Sequence, residues 1–396
     1  MTVLSSTFTI AAAALLSCAR AARLSDAQLV ALYGRAPAAA PRALLAPRDA
    51  AQSLRDAAAA AGVFVGAAID ENYIRNTSEP YGAIAAGQFN MYEAENACKF
   101  PATEPAQNRF DLTECTWDAN FSSSNAPSAF RLHNMVWGGY NPSWLLNGGF
   151  SPAQLAAISA AHIKALGAGL GAASYAVDVV NEAIADGGSE VFKPAPPWYP
   201  ALPTYVRDAF IAARASFPPS VKLMYNEYGA EGLGAKSDKV YQMVQGFIAE
   251  GTPIDGVGLQ MHISVDAFPS KADVSANMKR LVALGLEVHI TEMDVRCTPD
   301  AQGNICGADR LAAQAAIYGD ILQACLDNSK PTNANGKGGC KALQVWGICD
   351  KYTWLWDFDN PRHLDVQPLL YAIDYSVKPA YTQLLAVLQA AVAVAQ

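Results

Sequence analysis

The 396-residue sequence predicts one large α/β domain, a (β/α)8 TIM barrel. Three observations lead there. Eight short apolar runs alternate with longer helical stretches between residues 63 and 348, the alternation that right-handed parallel crossovers produce. The runs are apolar throughout rather than alternately polar, so both faces of each strand are buried, as in a parallel sheet. Polar side chains gather at one end of the runs, and in a barrel those ends form a single face.

Taken in order, the elements are these. "FTIAAAALLSCA" is a 12-residue apolar stretch followed by "ARA" at 19–21. It is too short to cross a bilayer and ends at a small-residue cleavage pattern, so residues 1–21 are expected to be a signal peptide and the protein secreted and extracellular. Residues 22–55 are expected to form an Ala-rich helical extension that includes "LSDAQLVALY", and the barrel domain is expected over 56–396. The helix "PRDAAQSLRDAAAAAG" ends at Gly62. The eight strand candidates follow: "VFVGAAI" (63–69), "GQFNMY" (87–92), "AFRLHNMVW" (129–137), "SYAVDVVN" (174–181), "VKLMYNE" (221–227), "GVGLQMH" (256–262), "LEVHITEMD" (286–294) and "ALQVWGI" (342–348). "GAGLG" (167–171) follows a helix rather than a strand, which removes the context a dinucleotide loop needs. The C-terminal "YTQLLAVLQAAVAVAQ" is apolar at helical spacing and too short for a membrane anchor, so it is expected to lie against the barrel.

Composition narrows the function classes. Hydrophobic residues make up 52% and charged residues 16%, ample for a large core. A net charge of -8 argues against nucleic acid or an anionic membrane as partner. No metal-binding motif stands out, no cofactor is expected, and the chain is expected to be a monomer. Asn76 and Asn120 open glycosylation sequons. Without Cys18 seven cysteines remain, with no Cys-x-x-Cys zinc pattern. In an oxidising compartment three loop-closing pairs are expected, Cys98–Cys115, Cys297–Cys306 and Cys325–Cys340, leaving Cys349 buried and free. Sequence alone does not fix that connectivity.

The chemistry-bearing residues lie at or beyond strand ends: Asp70, Glu95, Asn96, Trp137, Asn181, Glu182, Asn226, Glu227, Gln260, His262, Glu292, Asp294, Trp346 and Asp350. Asp178 lies inside a strand and is expected to pair with a buried group. His133, His162, His289 and His363 are expected to be structural. Glu182 ends the fourth run and Glu292 the seventh. Two carboxylates flanking one bond are what glycoside hydrolysis requires, one protonating the leaving oxygen and the other meeting the sugar cation. Their environments must differ, so that one keeps its proton while the other is ionised.

At these residues the chain resembles the glycoside hydrolase family 10 endo-1,4-β-xylanases, from about residue 60 to 385. "FNMYEAENACKF" resembles the family's second-strand motif, which implies sugar binding by Glu95, Asn96 and Lys99. "DVVNEAI" resembles the acid/base motif and implies that role for Glu182, with Asn181 at the sugar 2-hydroxyl. "HITEMDV" resembles the nucleophile motif and implies Glu292 as nucleophile with Asp294 in support. "DGVGLQMHI" supplies Gln260 and His262, and "VWGICDKYTW" supplies Trp346 and Trp354 as aromatic walls. "PLLYAIDYSVKPAY" resembles the family's closing signature. The resemblance implies a retaining cut of internal β-1,4 links in xylan, a plant polysaccharide. Another β-1,4-glycanase of the same barrel clan and a xylan-binding pseudoenzyme remain alternatives. The chain departs from the family at Phe100, Val177 and Gly138. The last replaces a histidine expected to face the central sugar, so weakened binding there is expected.

Overall fold

Parallel pairing carries the chain once around a closed ring. The computed structural model describes residues 53–297, 306–358 and 366–395. The strands are β1 (Phe64–Ile69), β2 (Met91–Ala94), β3 (Ala129–Leu132), β4 (Val136–Trp137), β5 (Ala176–Asn181), β6 (Lys222–Glu227), β7 (Gly256–Leu259), β8 (His262–Ser264), β9 (Glu287–Arg296) and β10 (Gly339–Val345). The order β10-β1-β2-β3-β5-β6-β7-β9 is closed by pairing of β10 with β9, and every pairing is parallel. The fold is therefore the expected (β/α)8 barrel. The two short strands extend the ring at its C-terminal rim: β4 pairs with β5 at Val180 and Asn181, and β8 pairs with β9 from Asp294 to Arg296.

Local chemistry explains the elements. β5 is buried at all six positions, and its Val residues suit a strand covered on both faces. The helix Pro152–Leu170 starts at a capping box, with Ser151 and Gln154 satisfying each other's backbone and Pro at the first turn. "GAGLG" closes that helix rather than cradling a phosphate. A Cβ at Gly167 would lie 2.5 Å from the Ser216 carbonyl oxygen of the neighbouring helix, so glycine is what permits the close approach. The C-terminal helix Pro379–Ala395 lies against the helix Ala308–Asp327. No described helix is long and apolar enough to cross a membrane.

Several expected runs have different limits, the last among them, since β10 spans Gly339–Val345 rather than 342–348. Gly87 and Gln88 end the helix Tyr81–Gln88, and β2 starts later, at Met91. The run 129–137 divides into β3 and β4, because His133 and Asn134 leave the ladder before Met135 rejoins it through the Asp178 carbonyl at 3.0 Å. The run 256–262 divides at Met261, whose φ of 67° turns the backbone left-handed while its N–H bonds the Glu231 carboxylate at 3.1 Å.

The three expected disulfides are present: Cys98–Cys115, Cys297–Cys306 and Cys325–Cys340, with Cα–Cα distances of 4.8, 5.4 and 5.2 Å. Cys349 is buried and free. Residues 1–52, which hold the expected signal peptide and nearly all of the extension, lie outside the described residues, as does His363. The helix Leu54–Ala60, capped by Ser53, crosses the expected 55/56 boundary.

Candidate active site

Glu182 follows β5 and has a φ of 56°, a left-handed conformation uncommon outside glycine. The surrounding structure enforces it. The Glu182 N–H donates to the Asn226 carbonyl at 2.9 Å, Ala183 N–H to the Tyr225 hydroxyl at 3.0 Å and Ile184 N–H to the Glu227 carboxylate at 3.0 Å. Glu227 is thus a clamp on the turn rather than a group facing the cleft, and Lys236 lies 3.1 Å from its other oxygen. Asn181 Nδ2 and Gln260 Nε2 donate to Glu182 Oε1 at 3.2 and 3.0 Å, and Trp137 Nε1 donates to Oε2 at 2.9 Å. Lys193 Nζ stands 3.7 Å from Oε2.

Glu292 sits on β9 in a different setting. Asn226 Nδ2 donates to Oε1 at 2.6 Å and His262 Nε2 lies 3.1 Å from Oε2. Thr291 Oγ1 donates to Asn226 Oδ1 at 2.8 Å, which fixes the amide so that its nitrogen faces the carboxylate. His262 Nδ1 lies 2.8 Å from Asp294 Oδ2. Both ring nitrogens therefore face carboxylates and both donate, as an imidazolium does. Burial opposes that charge, but Asp294 and then Glu292 outweigh it and raise the His262 pKa well above the ordinary histidine value. Burial likewise opposes ionisation of Glu292, yet the hydrogen bond from His262, the nearby His133 and the Asn226 amide hold its pKa below the usual carboxyl range. Asp294 also accepts from Trp354 Nε1 at 2.8 Å. Asn181 Oδ1 accepts from both Asn226 and Gln260, at 2.9 and 3.2 Å, so one amide network joins the two glutamates.

Beneath them lies a charged floor. Arg131 on β3 is fully buried; its Nε donates to Asp178 Oδ2 at 3.0 Å and its Nη2 to Asp178 Oδ1. This is the buried partner expected for Asp178. Arg131 Nη1 lies 2.8 Å from His289 Nδ1, which must accept, so the His289 proton sits on Nε2, facing Glu287 at 3.3 Å. His133 Nδ1 lies 3.0 Å from Asp178 Oδ2 and 3.4 Å from Glu93 Oε1.

The remaining expected residues converge on the same mouth. Lys99 Nζ donates to Asn96 Oδ1 at 3.1 Å and stands 5.5, 5.6 and 6.0 Å from the ring centroids of Trp137, Trp346 and Tyr140. Glu95 is half-buried; desolvation first and the Asp70 charge second push its carboxyl up to about 8. Trp346 meets His133 edge-on at 5.3 Å and Trp354 lies 5.0 Å from His262. Every expected catalytic and sugar-contacting residue thus lies at one end of the barrel. Asp70 and Asp350 serve the frame instead. Asp70 caps the helix Glu71–Arg75, and Asp350 pairs with buried Lys378 at 2.9 Å.

The reading of one residue changes. Gly138 does not leave a gap over the central sugar. A Cβ there would stand 2.5 Å from the Ala195 Cβ and 2.8 Å from its Cα, so the position is filled by the loop that follows Glu182. His133, expected to be structural, touches Asp178 and Trp346 and lies beside Glu93. Arg131, Asn226 and Glu93 were also not among the expected binding or catalytic residues, and the first and last are charged groups inside otherwise apolar strands.

Comparison with known proteins agrees with this geometry. The model of "Glycosyl hydrolase family 10" matches residues 53–387. "Endo-1,4-beta-xylanase D" of Talaromyces funiculosus is 34% identical over 352 residues, covering 88% of this chain and 80% of that protein. "Endo-1,4-beta-xylanase 1" of Humicola insolens is 31% identical over 354 residues, covering 87% and 76%. Among solved structures, native xylanase 10B from Thermotoga maritima superposes with a TM-score of 0.77 at 30% identity, covering 86% of this chain and 99% of that one. Xylanase 10B from Thermotoga petrophila RKU-1, solved in complex with xylobiose, gives 0.77 at 30% identity, covering 86% and 98%. A barrel with two glutamates joined through an amide network at its C-terminal mouth, and a family match across nearly all the described residues, make this chain a member of glycosyl hydrolase family 10.

Proposed function

We propose that this glycoside hydrolase is a secreted endo-1,4-β-xylanase that cleaves internal links of xylan with retention of configuration. The observation that carries the reading is the contrast between the two glutamates. Glu292 is braced by a charged His262 and by Asn226, which favours a standing carboxylate. Glu182 is met by the neutral donors of Trp137, Asn181 and Gln260, with the Lys193 ammonium farther off at 3.7 Å. In the first step Glu292 attacks the anomeric carbon while Glu182 gives its proton to the departing oxygen. In the second, Glu182 takes a proton from water, the water attacks the same carbon, and Glu292 is released. Asn181, which donates to Glu182, would bind the sugar 2-hydroxyl. The relatives named as xylanases and the neighbour solved with xylobiose support xylan as substrate. The three disulfides support an oxidising compartment.

Reducing-sugar release from xylan, cellulose and mannan tests the substrate. Preference for either of the latter would overturn it. Glu292→Gln should form no glycosyl-enzyme by intact mass spectrometry. Glu182→Ala should slow xylan cleavage roughly 10²–10⁴-fold. The same variant should spare the first step on aryl glycosides whose leaving groups need little protonation. Equal losses on both substrates would reverse the assignment of Glu182.

A further inference from the structure

Glu93 is a carboxyl in the barrel floor that the reaction as described does not use. It stands on β2, is 0% exposed, and lies among charges from several elements. From β3 come Arg131, whose Nε is 3.7 Å from Glu93 Oε2, and His133, 3.4 Å from Oε1. Asp178 faces it from β5, Glu292 from β9 and Lys99 from beyond β2. Gln344 on β10 donates to Oε2 at 3.0 Å, while Oε1 accepts no hydrogen bond. One donor atom each of Glu93, His133 and Glu292 falls within a 4.8 Å cluster.

The hydrogen-bond geometry decides what charge this group carries. Arg131 spends its close contacts elsewhere, Nε and Nη2 on Asp178 and Nη1 on His289. His133 Nδ1 is nearer to Asp178 than to Glu93. An ionised Glu93 would thus be a third buried carboxylate beside Asp178 and Glu292, with one neutral amide as its hydrogen-bond donor. Such a charge costs several kcal/mol in a buried site, and it would repel the negative charge that Glu292 needs. A metal ion among Glu93, His133 and Glu292 could offset it, but the Arg131 guanidinium beside Glu93 opposes a second cation. A proton removes the charge without adding one.

We infer that Glu93 is a positioning residue held as a neutral carboxylic acid behind the nucleophile. Burial followed by Asp178 and Glu292 raises its pKa well above the ordinary value, against the opposing pull of Arg131. The group stays protonated while Glu292 is ionised, so the pair carries one negative charge. This rests on Glu292 being the nucleophile.

The tests separate the two claims. Loss of glycosyl-enzyme formation in Glu292→Gln belongs to the functional reading alone. For the inference, Glu93→Gln is the informative variant, because an amide matches a protonated carboxyl in shape and charge. It should keep kcat/KM on xylan within about 3-fold, with the acid limb of its pH profile, which follows nucleophile ionisation, displaced by less than about 0.3 pH unit. Infrared spectra of the whole protein at pH 7 should show one carboxylic-acid carbonyl band in the parent that is missing in the variant. Glu93→Leu should lose at least about 10-fold in kcat, with Gln restoring it. An acid limb moved down by a full pH unit or more in Glu93→Gln, or no lost carbonyl band, would show an ionised Glu93 and overturn the inference. These two measurements decide it even where Glu93→Leu does not fold. Activity raised by a chelator in the parent but not in Glu93→Gln would put a metal ion in place of the proton and overturn it equally.

Discussion

His133 and Gly138 show what a single residue's surroundings add to its identity. A lone histidine within an apolar run reads as core, and the ring of His133 is indeed 2% exposed. It nevertheless stands among Asp178, Glu93 and Trp346, because the floor it belongs to is charged. Burial and a charged neighbourhood coincide here, so hydropathy could not separate them. For Gly138 the missing information was the path of a distant loop. Ala195 is more than fifty positions away in sequence, yet it fills the space a side chain would need. A side chain at 138 therefore has no open space to enter. Overpacking against a backbone Cα cannot be relieved by a rotamer change and costs typically about 1–3 kcal/mol. Gly138→Ala should lower the melting temperature, and Gly138→His should lower it further with no gain in kcat/KM on xylotriose-sized substrates. Thermal unfolding of both variants, with kinetics on short and long substrates, checks this. An unchanged melting temperature for Gly138→Ala would mean that the loop around Ala195 yields freely.

Among the elements, the strands were the most legible part of the chain because parallel barrel strands are buried on both faces. All eight expected runs overlap a barrel strand. What could not be read was where a run leaves the ladder. His133–Asn134 and Gln260–Met261 are ordinary in composition, and only the hydrogen bonds of Met135 and Met261 reveal the breaks. Those breaks matter, since β4 and β8 begin after them and carry Trp137 and His262 to the mouth. The disulfides were legible as loop closures. Cys325, near the end of the helix Ala308–Asp327, joins Cys340 in β10 across 15 positions, and both are fully buried. Closing a loop of that length contributes about 3 kcal/mol. The double variant Cys325→Ala/Cys340→Ala should lose stability of that order in urea unfolding and keep kcat/KM at 25 °C, because neither cysteine is near the glutamates. A loss below about 1 kcal/mol would place the loop's order in its other contacts, such as Lys341 Nζ to the Ser329 carbonyl at 2.9 Å.

At the scale of the whole molecule, buried carboxyls titrate in opposite directions at different sites. At the N-terminal end Glu287 opens β9 among Lys222 at 3.1 Å, His289 at 3.3 Å and the Tyr175 hydroxyl at 3.0 Å. Burial opposes its ionisation, but the hydrogen bond from His289 and then Lys222 lower its pKa from 4.5 to about 2. A carboxyl with a depressed folded-state pKa stabilises the fold above its unfolded value and loses that contribution as pH falls from about 4.5 to about 2. The displacement corresponds to about 3 kcal/mol. Elsewhere the sign reverses. Asp118, in the helix Thr113–Ser124, is fully buried with neither carboxyl oxygen accepting a hydrogen bond. Burial, then Glu71 and Asp70, raise its pKa from 3.8 to about 9. Between those values the folded state holds a proton that the unfolded state has released, so stability falls as pH rises. Denaturant unfolding from pH 2 to pH 9 should therefore give a dome with two separable flanks. Glu287→Gln should flatten the acid flank and cost about 3 kcal/mol at pH 7. It should leave kcat/KM unchanged, since the catalytic glutamates lie at the other end. Asp118→Asn should flatten the alkaline flank and leave the acid one in place. If Glu287→Gln keeps the full acid flank, the loss there comes from other carboxylates held below their ordinary values, such as Asp178 and Glu292.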